Sequence, residues 1–180
     1  MEQQHGITLI GMPGCGKSTV GPMLAARLGL EFLDTDETIE ARAGHRLQEI
    51  VDAGGGERLR AIEEQVLGEI DARGRVVATG GSAVYAEAAM RRLAASSTIV
   101  YLEAGLQELR RRVVDWATRG LVRAPGQGIE ELFAERTRLY AEHADLRIVC
   151  DGLTPEQVVE QLIAALLSRG DSAVERTATS

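Results

Sequence analysis

Residues 11–18 read Gly11-Met12-Pro13-Gly14-Cys15-Gly16-Lys17-Ser18, directly after the apolar run Ile7 to Ile10 and before a helical pattern that starts at Thr19. The spacing G-x-x-x-x-G-K-S between a strand and a helix describes a phosphate cradle. Its glycines permit a tight turn, and several backbone N–H groups, with the positive end of the helix dipole, face one anion. In that setting Lys17 reaches the β- and γ-phosphates of a nucleotide and Ser18 ligates Mg²⁺, while Gly14, Cys15, Gly16 and Thr19 complete the nucleotide-binding turn. Lys17 is also the only lysine in the chain. A glycine-rich turn with no ligand is the competing reading, and the flanking strand and helix weigh against it.

Outward from the loop, apolar runs alternate with helical patterns, the mark of βαβ units around a parallel sheet. Five strands are expected, at Ile7 to Ile10, Glu31 to Leu33, Arg75 to Ala78, Thr98 to Leu102 and Arg147 to Cys150. The continuous apolar character of Val76 to Ala78 and Ile99 to Leu102 is that of strands covered on both faces. Helices are expected from near Lys17 to a C-terminal stop at Gly29, over Glu37 to Ala43 before Gly44, and over Leu47 to Ala53 before Gly54, Gly55 and Gly56. A long amphipathic helix follows over Arg58 to Arg73, closed by Gly74. The last helix has the clearest start: Thr154 as N-cap, Pro155 at the first helical position and Gln157 completing a capping box. The fold class is α/β, three layers with a five-stranded parallel sheet.

At 180 residues the chain suits one domain, expected over 1–170, with a short polar tail at 171–180. Only 3% of residues are aromatic, so Leu, Ile, Val and Ala must fill the core. A net charge of −7 argues against nucleic acid as a partner, because a phosphate backbone requires a basic face. Cys15 and Cys150 have no metal-binding spacing, and a disulfide at Cys15 would distort the cradle, so both are read as free thiols. With no signal segment or membrane span, the reading is a cytoplasmic monomer. The stretch of about 113–128, with Arg119, Gly120, Pro125 and Gly126, suits a mobile lid, with a passive linker as the alternative.

Asp34 and Asp36 end the second apolar run. On an extended strand both carboxylates project together from the sheet's C-terminal edge, the edge that also carries the phosphate loop. One can hold a metal-bound water while the other orients or deprotonates an attacking hydroxyl; the alternative for Asp36 is a helix cap before Glu37. Thr79, Gly80 and Gly81 leave the third strand at the same edge, where glycines permit close ligand approach or simply make a turn. Arg60, near Glu63, Glu64 and Glu69, and Arg136, near Glu131 and Glu135, are either anion-binding groups or ordinary solvated ion pairs.

The ordered set of G-x-x-x-x-G-K-S, D-T-D at Asp34 to Asp36, G-E-R-L-R at Gly56 to Arg60, T-G-G at Thr79 to Gly81 and E-R-x-x-L-Y at Glu135 to Tyr140 resembles the shikimate kinases over about residues 7–169. The resemblance implies a P-loop kinase fold with a lid, and ATP-dependent phosphorylation of the 3-hydroxyl of shikimate in aromatic amino-acid synthesis. It implies Lys17, Asp36 and Arg119 as catalytic residues, with Arg112 and Arg119 joining the loop in binding ATP. It implies Asp36, Arg60, Gly80, Gly81 and Arg136 as the acceptor site, and Ser18 with Asp34, through water, as the Mg²⁺ site. Three positions depart from the family pattern. Ser82 replaces a glycine and brings a hydroxyl near the substrate ring, Gly120 replaces a lid proline, and Arg138 replaces a proline in E-R-x-P-L-Y.

A kinase for another hydroxylated carboxylate, such as gluconate, fits the same residues. A nucleotide-binding sensor without turnover is a third possibility, opposed by the intact Lys17, Ser18, Asp34 and Asp36. The lack of an N-K-x-D base-reading pattern argues against a switch GTPase.

Overall fold

Strand β1 (Gly6–Ile10) is buried along its whole length, as a strand with neighbours on both sides and helices on both faces must be. A computed structural model describes residues 4–113, 121–124 and 126–170. Around β1 lie β2 (Glu31–Asp34), β3 (Arg75–Ala78), β4 (Ser97–Glu103) and β5 (Leu146–Val149), in the order β2-β3-β1-β4-β5. Every pairing is parallel, with Leu9 opposite Ala78 on one side and Val100 on the other. All five strands match the expected positions to within a residue or two at each end.

Helix α1 (Lys17–Leu28) ends at Gly29 in the left-handed conformation, and α2 (Thr35–Ala43) ends at Gly44 in the same way. Helix α3 (Leu47–Glu69) bears out one expectation and corrects another. The glycines at 54–56 do divide it: Gly55, with φ of 74° and ψ of 173°, is non-helical and separates two helical pieces at a kink rather than by a longer loop, and only glycine adopts that φ without strain. The helix also stops at Glu69 rather than Arg73, because Ile70 turns to extended geometry and is buried. The remaining helices are α4 (Glu87–Ser96), α5 (Leu106–Arg112), α6 (Ile129–His143) and α7 (Pro155–Ser168), and a short 3₁₀ turn spans Ala83–Tyr85. At the start of α7, the Thr154 side chain accepts from the Gln157 N–H, as its sequence predicts.

The core is aliphatic, with Ile7, Leu9, Val76, Val77, Val100 and Leu102 fully buried along the strands. Two tyrosines add to it, Tyr101 and Tyr140, with ring centroids 5.2 Å apart. The chain passes from β1 outward to β2, returns to β3, then crosses β1 to reach β4. The crevice beyond the C-terminal end of β1 therefore sits where the strand order reverses, the place open parallel sheets bind ligands. Arg119, Gly120, Pro125 and residues 171–180 lie outside the described residues, so the expected lid arginine and tail carry no structural description.

Candidate active site

The loop after β1 wraps the N-terminus of α1. Gly14 and Gly16 have φ values of 85° and 112°, which turn the chain so that the first amides of α1 face outward. The first turn of that helix has no acidic residue and no side-chain cap, so its N–H groups and dipole address the cavity in front of them. Lys17 is nearly buried and donates from Nζ to the carbonyls of Gly11 at 2.7 Å and Met12 at 3.1 Å. Ser18 Oγ donates to Asp34 Oδ2 at 2.8 Å, joining the loop to the end of β2.

A cavity of about 480 Å³ opens here. Gly14, Cys15, Gly16, Lys17, Ser18 and Thr19 line one part of it, and Asp36, Glu63, Gly80, Gly81 and Ser82 another. Arg112, at the end of α5, lines it beside Cys150 and Pro155; its guanidinium donates to the carbonyls of Cys15 and Cys150, each at 3.3 Å, and to Glu108. Both cysteines are free and buried, as their spacing implied.

The two aspartates reach the site by a different route from the one expected. Strand β2 ends at Asp34, and Thr35 and Asp36 already belong to α2, so strand alternation does not set their directions. Asp34, not Asp36, is the N-cap: its Oδ1 accepts from the Asp36 N–H at 2.9 Å, while Oδ2 takes the Ser18 hydroxyl. Asp36, in the first helical turn, faces the opposite end of the cavity, near Gly80.

At that end the chain leaving β3 is pinned to its neighbours. Thr79 Oγ1 donates to the Leu9 carbonyl, and the Gly80 N–H donates to the buried Thr35 hydroxyl at 3.0 Å. A Cβ at Gly80 would stand 2.4 Å from Glu63 Oε1 and 2.8 Å from Asp36 Oδ1; one at Gly81 would stand 2.8 Å from Pro13 Cδ and 2.9 Å from an Arg136 nitrogen. These glycines let two carboxylates, the phosphate loop and an arginine crowd around one stretch of backbone. The Tyr140 hydroxyl donates to the Gly81 carbonyl at 2.6 Å, tying α6 to the same point.

Arg60 and Arg136 converge although they come from α3 and α6. Both guanidinium groups lie over the Tyr85 ring, at 4.7 and 5.6 Å from its centroid. Among the described residues neither forms an ion pair: Glu69 is taken by Arg42, and Glu135 accepts from Tyr85 and Gln127. Arg136 is 1% exposed, donates to the Val122 carbonyl at 2.6 Å, and has no partner for Nε among the described residues. A buried cation without a carboxylate is costly, so this guanidinium is poised for an anion. Arg60 is exposed and shows that the solvated-face reading held for its accessibility but not for its pairing. Arg138 forms an ordinary surface pair with Glu142 at 2.7 Å, away from these groups.

Sequence reasoning missed Glu63 and Tyr85. Glu63 is 4% exposed and accepts from Ser82 Oγ at 2.5 Å. Burial pushes its carboxyl up to about 7 against the pull of the Ser82 hydroxyl; Asp36 adds to the rise, while Arg136 and Arg60 oppose it. Its position three residues after Arg60 put both near one helical face, which was the available signal. Tyr85 carried none, because only the fold brings both arginines over its ring.

No group of three metal-ligating side chains occurs among the described residues. The Ser18 hydroxyl beside the Asp34 carboxylate nevertheless fits a Mg²⁺ ion, which takes few protein oxygens and fills its octahedron with water and phosphate.

A parallel sheet, a glycine-rich loop at its switch point and a cavity that continues across Gly81 are the features of a small-molecule kinase of the P-loop fold. The family model for shikimate kinase matches residues 13–167, and the chain belongs to that family. It is 39% identical to a shikimate kinase of Thermodesulfovibrio yellowstonii over 87% of this chain and 92% of that one. It is 37% identical to shikimate kinase 1 of Yersinia enterocolitica over 93% and 99%. Among solved structures, a shikimate kinase from Acinetobacter baumannii in complex with shikimate superposes with a TM-score of 0.85 at 31% identity, covering 93% and 96%. A thymidylate kinase from Candida albicans, at 14% identity and a TM-score of 0.55, shares the fold.

Proposed function

We propose that this chain transfers the γ-phosphoryl group of ATP to the 3-hydroxyl of shikimate, giving shikimate 3-phosphate and ADP for aromatic amino-acid synthesis. The observation that carries the reading is the convergence of Arg60 and Arg136 on Tyr85, across Gly81 from the phosphate loop. The acceptor is thereby an anion held next to the donor phosphates, and the two planar guanidiniums match the paired oxygens of a carboxylate.

In this reading Gly14 to Thr19 bind the phosphates through backbone N–H groups, and Lys17 leaves the Gly11 and Met12 carbonyls to stabilise charge on the transferring group. Arg112 borders the base and Arg119 approaches the phosphates from the lid. Ser18, directly, and Asp34, through water, would hold Mg²⁺, which would supply charge neutralisation to the phosphate oxygens. Arg60, Arg136 and the backbone at Gly80 and Gly81 hold the acceptor, and Asp36 orients the attacking hydroxyl and accepts its proton as the O–P bond forms and ADP leaves. Positioning does most of the work, because a loose phosphoryl-transfer transition state needs little base catalysis. Residues 1–170 act as one kinase domain whose lid, about 113–128, excludes water as a competing nucleophile.

The test is coupled ADP release with Mg·ATP against shikimate, quinate, gluconate and nucleoside monophosphates. Turnover of shikimate well above the others is expected; no shikimate turnover above the ATPase background refutes the assignment. Preference for gluconate would move the acceptor, and nucleotide binding without any turnover would indicate a sensor.

A further inference from the structure

Ser82 stands where the family pattern has glycine, and its backbone does not ask for one: φ of −93° and ψ of −4° suit any residue. What serine adds is a hydroxyl, and that hydroxyl is turned onto Glu63 at 2.5 Å. Among the described residues Ser82 is the only hydrogen-bond partner of the Glu63 carboxyl. The charged groups facing this carboxyl are Asp36 from α2, Arg60 from its own helix and Arg136 from α6. Glu63 thus stands within electrostatic reach of two guanidiniums and is bonded to neither.

We propose that Ser82 is a positioning residue for acceptor binding: by anchoring the Glu63 carboxylate beside Gly80 it keeps that side chain from pairing with Arg60 or Arg136, leaving both for the carboxylate of the substrate. The inference rests on the function proposed above. Its physical basis is competition between anions. A carboxylate at the end of a flexible side chain and three residues from Arg60 on a helix is an intramolecular rival for any incoming carboxylate. One hydrogen bond to a charged acceptor is enough to bias which rotamer it takes. The closeness of Asp36 to the same stretch of backbone opposes the held position, so the anchor works against a like charge rather than with it.

The experiment, run at about pH 8 so that the Glu63 carboxyl is ionised, compares Ser82→Ala and Ser82→Thr in the wild-type and Glu63→Gln backgrounds, with folding checked by thermal melts. Ser82→Ala is expected to raise KM for shikimate about tenfold with kcat and KM for ATP within about twofold, and Ser82→Thr to stay near wild type. In the Glu63→Gln background the rival anion is gone, so Ser82→Ala should leave KM for shikimate unchanged. An unchanged KM in the wild-type background, or an equal rise in both backgrounds, overturns the proposal. A crystal structure of Ser82→Ala supplies an arm independent of turnover: Glu63 within ion-pair distance of Arg60 or Arg136 supports the proposal, and an unmoved Glu63 overturns it. Failure of the wild-type enzyme to use shikimate would sink the functional assignment, and the position of Glu63 in that crystal would still decide the role of Ser82.

Discussion

Replacing Glu63 by Gln should change how stability depends on pH. Glu63 is 4% exposed, and burial, reinforced by Asp36, raises its carboxyl from the ordinary 4.5 to about 7. One pKa unit corresponds to about 1.4 kcal/mol, so ionising this group costs about 3 kcal/mol more in the folded protein than in the unfolded chain. Below pH 4.5 both states hold the proton and there is no penalty. As pH rises through 4.5 the unfolded chain releases it while the folded protein keeps it, so the stability of the native state falls; above 7 the penalty is complete. Glutamine keeps the shape and an acceptor for Ser82 but does not titrate. Urea denaturation of both proteins at half-unit steps from pH 4.5 to 8 isolates the effect, since their other titrating groups are shared. The stability of wild type minus that of the variant should fall by about 3 kcal/mol across the range. A difference that stays level to within about 0.5 kcal/mol would show that Glu63 titrates as a solvated carboxylate, and the reasoning from burial would be wrong.

Arg60→Ala should lower kcat/KM for shikimate by about 2 kcal/mol, some thirtyfold, through loss of one of two guanidinium partners, and an unchanged value removes Arg60 from the acceptor site. Gly80→Ala places a methyl group 2.4 Å from Glu63 Oε1 and 2.8 Å from Asp36 Oδ1, so steady-state kinetics should show impaired acceptor use with ATP affinity retained. Equal loss of both would mean that the substitution disturbs the whole domain. Ser18→Ala should cost on the order of 2 to 3 kcal/mol in kcat/KM for ATP and raise the Mg²⁺ concentration needed for half-maximal rate; an unaltered metal dependence argues against Ser18 as ligand.

The residues that formed the sheet were legible because buried parallel strands are apolar throughout, and Val76 to Ala78 and Ile99 to Leu102 are short runs rich in β-branched or aromatic residues. The donor half was legible for a related reason. Backbone amides at Gly14 to Lys17 are presented by local geometry alone, so eight consecutive residues describe the cradle without knowledge of what surrounds it. The aspartates were located at the right edge and given the wrong geometry, because capping by Asp34 starts the helix two residues earlier than the pattern suggested. Arg60 and Arg136 entered through family likeness, since each by itself has carboxylates nearby in the chain and reads as a surface pair.

By itself, then, the sequence determined the α/β class, the strand and loop positions, and a loop with the phosphate-cradle pattern, all of which are written in short stretches of chain. Only the tertiary structure decided that Arg60 and Arg136 share one aromatic ring, that Glu63 is buried with a raised affinity for its proton, and that the Ser82 hydroxyl is spent on Glu63. Those features depend on which distant residues share a low-dielectric pocket, and both burial and the partner of a charge are set by the packing of α3 and α6 around the end of β3.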